Sequence, residues 1–597
     1  MKKSDQFAAA VTAFVCMSSH SLAGDFAWTT VVNNGQLMPG STKLFNSYNQ
    51  PSMNADGLVV FRARSKGPQQ PVRGIYTVDV SVPSDPIRAV AVVGGEVPYP
   101  NNTTSQSGAL ATFLEFPSFP RIDIGSGMIA TRSQSQPTWT YMLPDGTETR
   151  VGTAGVFSTA GGSLATGASL LGAVADASTG ALAFPWFSVP GAAPGTRFDQ
   201  FPGAASACDG ESIAFKGNWT DLSTATGKTG VYFRHTTVNG GTSPTQRIAD
   251  TSRIIPDQPT VKGVLFGSTA PPSAAFGKVV FVGLDVEEAP TMGGIYLAPL
   301  ASDPPLTTLV KIGDQVPGEL GRESFARIGE ALSFDGRWVA FWGAWGERMN
   351  PRLLTCPDDG NADLLAYCNE QYPDGYIVEV PEHQGFFAVD THTGHIAVIA
   401  KSGVDIDDML YWNFSGKPPE SRSDDKGGEQ ELPRWRSATF VAIEGAGDDS
   451  FQAVFKAHAM DQDALYRRIG PDGPAALPFV GTTTAGSAVD PQAPVGSVLT
   501  AVGIERDALR GGRLAMTASM LDPVTSESWA GVYVTDMATA ARYQSDLDVD
   551  GMVNGADLGL LLIEWGSTSA CNADINRSGC VDGVDLGYLL STWGPCK

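Results

Sequence analysis

Two stretches near the C-terminus place oxygen-bearing side chains at regular spacing. From residue 546 the chain reads DLDVDGMVNGAD, and from residue 574 it reads DINRSGCVDGVD. Each stretch has Asp, Asn or Ser at positions 1, 3, 5, 9 and 12, and glycine at position 6. Ca²⁺ takes about six to eight oxygen ligands, and a loop of this length with a glycine-permitted sharp turn can supply them. The spacing predicts one calcium ion in each loop, two in all.

The ligands follow from the positions in each loop. The first loop supplies Asp546, Asp548, Asp550, the backbone carbonyl of Met552, Asn554 through water, and Asp557. The second supplies Asp574, Asn576, Ser578, the carbonyl of Cys580, Asp582 through water, and Asp585. The second loop has fewer carboxylates and contains Arg577, so we expect it to bind calcium more weakly. The alternative is a pair of metal-free Asp/Asn/Gly turns.

A helical pattern follows each loop, none precedes it, and position 12 is Asp rather than Glu. Tandem units of this kind resemble the type I dockerin module, and the resemblance covers residues 543–597. It implies a small all-α module that needs calcium to fold and that docks onto a cohesin-like protein. Gly555-Ala556 and Gly583-Val584 stand where cellulosomal dockerins commonly carry a hydroxyl pair. A cell-surface or matrix protein is therefore an alternative partner.

The helices after the two loops are unusually apolar. These stripes either pack the two helices together or form a partner-binding face that both copies share, and the sequence leaves both open. The residues are Leu558, Leu561, Leu562 and Trp565 in the first copy, and Leu586, Leu589, Leu590 and Trp593 in the second.

The N-terminus predicts export. Residues 1–23 have a charged start, a short apolar run and a small-residue cleavage site near Ala23, which is typical of a secretory signal peptide. The expected location is therefore extracellular, periplasmic or at the cell surface. The formal charge of −23 disfavours nucleic acid as a partner. The apolar run is too short to span a bilayer, so we expect no membrane insertion.

Residues 24–542 contain a repeat. Runs such as NADGLVVF (residues 54–61) and FDGRWVAF (334–341) precede runs such as RGIYTVD (73–79) and GGIYLAP (293–299). Short β-rich runs separated by turns predict a mainly β fold, a propeller of six or seven blades. Ser333–Phe341 resembles the repeats of Tol-type periplasmic propellers. TTVVNNGQLMPG (29–40) matches the end of a blade, TTLVKIGDQVPG (307–318), so the first strand is predicted to close the ring.

Two insertions, at about 346–384 and 404–436, interrupt the repeat. The first contains Cys356 and Cys368, the preferred disulfide; a second bridge, between Cys571 and Cys596, would clasp the tail. Five tryptophans in or beside the insertions either stack on a sugar ring or, as most buried aromatics do, fill gaps between blades. They are Trp338, Trp342, Trp345, Trp412 and Trp435.

Catalytic motifs are absent from the sequence. There is no G-x-S-x-G, H-E-x-x-H or phosphate-binding glycine loop. His392 and His395 could in principle be metal ligands, but their place in a hairpin turn favours surface histidines. Acidic pairs such as Asp314/Glu319 or Asp405/Asp407/Asp408 could be glycosidase carboxylates, although most are expected to be solvated turn carboxylates. No catalytic residue can be named. The favoured function is a secreted, calcium-binding propeller that binds a glycan or protein, in a setting such as polysaccharide breakdown. The alternative is an O-glycosyl hydrolase with its site at the propeller mouth.

Overall fold

A computed structural model shows the repeat as seven blades. It describes residues 26–595 with gaps at the positions that follow. The gaps are 68–70, 103–110, 136–138, 143–147, 152–153, 173–183, 195, 238–239, 259–261, 320, 322, 358–361, 404–405, 417–432, 447–449, 472–475, 538–544, 546, 548–551, 568–572, 574 and 576–580. The predicted signal peptide and the cysteines Cys571, Cys580 and Cys596 lie outside the described residues.

The first three blades follow the N-terminal strand, β1 (Trp28–Asn33). Blade 1 contains β2 (Phe45–Tyr48), β3 (Ser52–Met53), β4 (Leu58–Ser65), β5 (Arg73–Asp79) and β6 (Arg88–Val92). Blade 2 contains β7 (Phe113–Glu115), β8 (Arg121–Ile122), β9 (Ile129–Ser135), the hairpin β10 (Trp139–Met142) and β11 (Glu148–Val151), β12 (Ala154–Ser158) and β13 (Ala165–Ser169). Blade 3 contains β14 (Ser206–Cys208), β15 (Ser212–Asp221), β16 (Thr226–His235) and β17 (Gln246–Asp250).

The remaining blades carry the long hairpins. Blade 4 contains β18 (Ser268–Thr269), β19 (Ser273–Ala275), β20 (Lys278–Leu284), β21 (Gly293–Pro299) and β22 (Thr307–Lys311). Blade 5 contains β23 (Phe325–Ile328), β24 (Ser333–Phe334), β25 (Trp338–Leu354), helix α1 (Ala362–Gln371), β26 (Tyr376–Asp390) and β27 (Ile396–Lys401), followed by the hairpin β28 (Tyr411–Ser415) and β29 (Arg434–Ala438). Blade 6 contains β30 (Val441–Gly445), β31 (Phe451–Ala459), β32 (Gln462–Ile469) and β33 (Leu477–Gly481). Blade 7 contains β34 (Val498–Gly503), β35 (Leu509–Arg510), β36 (Arg513–Leu521) and β37 (Ser528–Asp536).

The C-terminal part is small. It contains β38 (Met552–Val553), helix α2 (Gly555–Ile563), helix α3 (Gly583–Ser591) and β39 (Gly594–Pro595). Short 3₁₀ turns elsewhere in the chain lie at Ala160–Gly162, Pro185–Phe187 and Gly486–Ala488. No helix among the described residues is long and apolar enough to span a membrane.

In each blade the inner position holds one strand or two short ones, such as β2 and β3 of blade 1, and the strands outside it pair antiparallel. We call the strand next to the inner position, such as β4, the second strand. The strands follow sequence order except in blade 7, where β1 is the outermost strand. In the second strand of a blade, side chains alternate between the two neighbouring blades, since successive side chains point to opposite faces of a strand. Val60 of β4 packs in the core shared with blade 2, whereas Val59 and Phe61 pack in the core shared with blade 7. The apolar pattern of the repeat thus builds one core in each gap between blades.

The N-terminal strand closes the ring, as the sequence predicts. β1 pairs antiparallel with β37 and becomes the outer strand of blade 7. The prediction left open six or seven blades, and the sheets that contain β9 (Ile129–Ser135) and β31 (Phe451–Ala459) bring the count to seven. Closure removes the free edge that β37 would otherwise expose.

Two acidic side chains, those of Asp335 and Glu444, connect neighbouring blades. Asp335 accepts hydrogen bonds from the amides of Arg337 and Trp338 and, across the blade boundary, from Gly445 N at 2.6 Å. Glu444 of blade 6 accepts in the same way from Gly512 N of blade 7 at 2.9 Å. Asp335 thus ties blade 5 to blade 6, and Glu444 ties blade 6 to blade 7.

Candidate functional site

The seven blades share two faces that differ in their loops. The loops after each second strand, and the connections to the next blade, lie on one face, which we name the lobe face. The turns after each inner strand lie on the opposite face, the turn face. Both predicted insertions leave from the lobe face, and β37 ends on the turn face, where the chain continues to its C-terminal residues. Loops on a rigid scaffold are common places for binding sites.

The described residues of the two insertions (346–384 and 404–436) form one structural unit, which we name the lobe. β25 and β26 continue past the blade, with Met349 paired to Pro381 and Leu354 to Tyr376. The predicted bridge between Cys356 and Cys368 is confirmed, and it ties the end of this hairpin to helix α1. The hairpin of β28 and β29 packs beside the helix. A disulfide and two interlocked hairpins make the lobe a supported surface rather than a loose loop.

An aromatic cluster holds the lobe together. The ring of Phe414 lies 6.4 Å from that of Tyr367, 6.0 Å from that of Tyr372 and 5.4 Å from that of Trp435. Phe414 and Trp435 are directly opposite each other on β28 and β29, so both rings lie on the same side of that hairpin. Aromatic pairs at these separations contribute packing energy beyond their buried area.

The five tryptophans mainly pack in the protein interior and present little ring surface to a ligand. Trp338, Trp342 and Trp345 are 2%, 6% and 3% exposed and fill the blades and the gaps between them. Trp412 and Trp435 are half-buried against the core shared by blades 5 and 6. The exposed apolar surface of the lobe is instead at the end of the long hairpin, where Leu353 and Ile377 pair across the strands. These two side chains are 58% and 61% exposed, and the neighbouring Tyr376 is 41% exposed.

Asp408 anchors the lobe to blade 5. Its Oδ1 accepts hydrogen bonds from Gln384 Nε2 at 2.7 Å and from the amides of Met409 and Leu410. Trp342 donates from its indole nitrogen to Gln384, and Arg352 of the long hairpin forms an ion pair with Asp408. Asp408 therefore has a structural role.

The other candidate catalytic groups are also occupied. Glu319 forms an ion pair with Lys401, and Asp314 accepts from the amide of Lys311. His392 and His395 are exposed in the turn between β26 and β27, as the sequence predicts. Asp405 lies outside the described residues. Asp407 accepts a hydrogen bond from the amide of Met460 at 3.1 Å.

The axis of the propeller holds a charged cluster that sequence reasoning missed. Arg121 of blade 2 contacts Asp507 of blade 7 at 2.6 Å and donates to the carbonyl of Pro272 and the hydroxyl of Ser273 in blade 4. Arg510 contacts Asp507 at 2.9 Å and donates to the carbonyls of Ile443 and Phe334 in blades 6 and 5; both arginines are 1% exposed. We name Arg121, Asp507 and Arg510 the axial cluster.

One further hydrogen bond joins the axial cluster to blade 1, and a neighbouring bond joins blades 3 and 4. The amide of Met53 in blade 1 donates to the carbonyl of Asp507, and Ser206 Oγ of blade 3 accepts from the amide of Ala274 in blade 4. Burial alone would raise the pKa of Asp507, but the charges of Arg121 and Arg510 outweigh it and hold that pKa below its usual range. A carboxylate between two guanidinium groups stays ionised.

The tail shows a symmetry that supports its internal duplication. Val553 pairs with Gly594, and Val581 pairs with Gly566, each 28 residues from its counterpart (581 − 553 and 594 − 566). Each predicted loop therefore contacts the segment that follows the other copy's helix. Val553, Leu561, Val581 and Leu589 are buried between the copies. Each apolar helix stripe is therefore divided into a buried part and an exposed part. The exposed residues are Leu562, Trp565, Leu590 and Trp593, whose exposed fractions are 47–53%.

Five of the twelve predicted calcium ligands lie among the described residues: Met552, Asn554, Asp557, Asp582 and Asp585. The other seven lie outside them: Asp546, Asp548, Asp550, Asp574, Asn576, Ser578 and Cys580. No group of three or more His, Cys, Asp or Glu that could hold a metal occurs within the described part.

The predicted ligands among the described residues are compatible with a calcium loop. Asp557 and Asp585, at position 12 of the two loops, are both fully buried. Each accepts a hydrogen bond from the amide at position 9, and Asp557 also accepts from Leu547 N at 2.6 Å. Asn554 and Asp582 cap the helices through their side chains. A buried carboxylate requires a compensating charge, and an all-oxygen donor set suits Ca²⁺.

The chain has distant structural neighbours. No protein-family model matches it, and no curated protein matches it. Among solved structures, an acylaminoacyl peptidase from Pyrococcus horikoshii is similar at 11% identity and a TM-score of 0.33, with 80% of this chain and 49% of the peptidase covered. This chain thus spans about half the length of that peptidase.

Two further neighbours match only part of this chain. They are an α-L-arabinofuranosidase from Podospora anserina (7% identity, TM-score 0.22, 55% of this chain and 88% of that chain) and the β-propeller domain of a trilobed protease from Pyrococcus furiosus (11%, 0.20, 55% and 79%). The assignment of a seven-bladed propeller rests on the sheet topology of this chain.

Proposed function

We propose that this is an exported protein whose propeller recognises a glycan or protein on its lobe face. Residues 543–597 act as a dockerin-like, calcium-dependent module that attaches it to a cohesin-like or cell-surface protein. The observation that carries the proposal is the lobe. In it, two separate insertions pack against each other on one face of the propeller, and a disulfide braces one of them. The chain leaves for the tail from the opposite face, so attachment through the tail leaves the lobe face open.

Binding is preferred to hydrolysis because the acidic groups named above are engaged in structural contacts. The axial cluster is buried where the inner strands meet, Asp408 anchors the lobe, Glu319 pairs with Lys401, and Asp314 accepts from the amide of Lys311. Glycosidases need two carboxyl groups facing each other across the scissile bond, roughly 5–10 Å apart.

The direct test uses the full mature chain in millimolar calcium with a panel of soluble polysaccharides. Bound fraction and new reducing ends are followed together. We expect binding without release of reducing ends. Release that survives removal of residues 543–597 would make the propeller a hydrolase. Absence of binding to every glycan would point to a protein ligand.

Substitution at the end of the long hairpin tests the face itself. We expect the double variant Tyr376→Ser/Ile377→Ser to weaken binding of the best ligand by about tenfold, since an exposed aromatic and its apolar neighbour supply contact area. Leu222→Ser is the matched control, because Leu222 is 64% exposed in a turn of blade 3 on the same face. Equal affinity of both variants would place the site elsewhere.

The calcium assignment is tested by counting ions. The double variant Asp546→Ala/Asp557→Ala removes positions 1 and 12 of the first loop, and titration calorimetry should count one calcium ion per chain instead of two. Asp363→Ala, at an exposed position on α1, is the control for lost negative charge and should retain two. A count of two in the double variant would show that the ligands are wrongly assigned.

A further inference from the structure

Three arginines converge on the lobe face of blade 1, in the gap that faces blade 2. Arg62 and Arg64 point to the same side of β4 as Val60, which packs in the core shared with blade 2. Arg73 of β5 is the direct cross-strand partner of Arg64. Like charges directly opposite each other destabilise a sheet, so this pairing needs a compensating anion.

One carboxylate partly neutralises the cluster. Glu115 of blade 2 lies 3.0 Å from Arg62 through Oε1 and forms a second ion pair, through Oε2, with Arg73. The three side chains are between 24% and 32% exposed, so the pairs are partly shielded from water. Three guanidinium groups and one carboxylate leave a local charge of +2 (3 − 1) on a chain whose net charge is −23.

The arginines retain donors that this carboxylate does not use. The Nε of Arg73 is buried and has no hydrogen-bond partner in the described structure. Among the described residues, Arg64 donates from Nε to Ser47 Oγ at 2.8 Å. Its two outer nitrogens are directed to other groups or to solvent. Burial lowers the pKa of Arg62; the charge of Glu115 opposes this shift, and the charges of Arg73 and Arg64 add to it.

We propose that Arg62, Arg64 and Arg73 form a binding site for an oxyanion carried by a sugar, either a uronate carboxylate or a sugar sulfate. The planar guanidinium fork matches such groups in a bidentate manner. The overall charge repels densely charged polymers, which favours one or two isolated anionic groups over a nucleic acid. This inference rests on the proposed function and names the class of glycan that the lobe face takes.

The test compares trigalacturonate and galactose 6-sulfate with neutral galactotriose and inorganic sulfate, by calorimetry on the full mature chain. We expect at least one acidic sugar to bind, and Arg64→Gln to weaken it about tenfold. Arg88→Gln is the matched control, because Arg88 is an exposed arginine of the same blade paired with Asp85. It should leave the affinity unchanged.

Glu115→Gln should change the affinity for the acidic sugar in the direction opposite to Arg64→Gln. Removing the competing carboxylate should tighten binding of the acidic sugar while lowering the thermal midpoint, because two ion pairs are lost. A purely structural cluster would show the loss of stability alone. Equal binding of inorganic sulfate and the acidic sugars, or binding of galactotriose alone, would overturn the assignment while leaving the glycan-binding function intact. No binding of any of the four probes would overturn it as well.

Discussion

Arg121→Met should destabilise the whole propeller by about 3–5 kcal/mol, the cost of removing one partner from a buried ion pair. The substitution leaves Asp507 buried with Arg510 as its remaining partner in the axial cluster and removes the bonds to Pro272 and Ser273. Arg121 crosses from blade 2 to blades 4 and 7, so the loss acts on contacts between distant parts of the ring. The measurement is the free energy of unfolding from a denaturant titration.

Arg513→Met is the control for this experiment. Arg513 is an arginine of blade 7 whose bond to the carbonyl of Asp56 is exposed, so its loss should cost no more than about 0.5 kcal/mol. A loss below about 1 kcal/mol for Arg121→Met would show that the axial cluster does not hold the blades together.

The same cluster predicts a dependence on acid. The folded pKa of Asp507 lies below its unfolded value of about 3.9, so its ion pairs stabilise the fold fully above that pH. This contribution is lost as the pH falls below about 4 through the folded pKa. Asp507→Asn should therefore be less stable than the wild type at pH 7, with a difference that shrinks in acid. A constant difference between pH 7 and pH 3 would exclude this origin.

The blades could be predicted because their signals are local. Turn residues and β-branched runs recur along the chain, G-I-Y at 74–76 returns at 294–296, and residues 29–40 repeat the end of another blade closely enough to predict ring closure. Cys356 and Cys368 bracket a short polar loop, which made their bridge predictable as well. Each of these inferences needs only short segments of sequence, read alone or compared with one another, and no knowledge of which distant residues meet in space.

The axial cluster could not be predicted in this way. Arg121 and Asp507 are 386 residues apart and meet because the ring brings blades 2 and 7 to one axis. The aligned blades do carry a sequence signal for this cluster. At one position of the inner strand, blades 1, 3, 4 and 5 have a serine, whereas blade 2 has Arg121, which pairs with Ala130. The serines are Ser52, Ser206, Ser273 and Ser333, which pair with Val60, Ala214, Val280 and Ala340. An arginine in a row of buried serines must find charged partners. Arg62 and Glu115 likewise belong to different blades.

Deletion of residues 25–40 should destabilise the whole propeller rather than fray one end. The deletion removes β1, exposes the edge of β37 and leaves the ring open, and unpaired edges favour aggregation. Val32 and Asn33 are fully buried in the closed ring, and Phe26 packs 4.9 Å from Phe479 of blade 6. We expect a single unfolding transition at a clearly lower denaturant concentration. An unchanged midpoint would show that the ring does not depend on β1.

Asn33 offers a point test of the same closure. Its Nδ2 donates at 2.9 Å to Asp490 Oδ2, and this buried oxygen also accepts from Trp529 Nε1 and Tyr533 Oη. Asn33→Asp would place two carboxylates against each other in a buried site, so we expect a loss of about 3 kcal/mol or more. Asn350→Asp, at an exposed position, adds the same charge and should have little effect.

Adding β1 back as a peptide distinguishes the loss of ring closure from other effects of the deletion. A peptide with the sequence of residues 25–40 should raise the unfolding midpoint of the truncated chain as its concentration increases, because it binds the folded ring and not the unfolded chain. The same peptide with Asn33→Asp should be much less effective, since it carries the charge that Asp490 repels. Rescue by both peptides alike would show that the backbone pairing of β1 with β37, and not the Asn33–Asp490 contact, closes the ring.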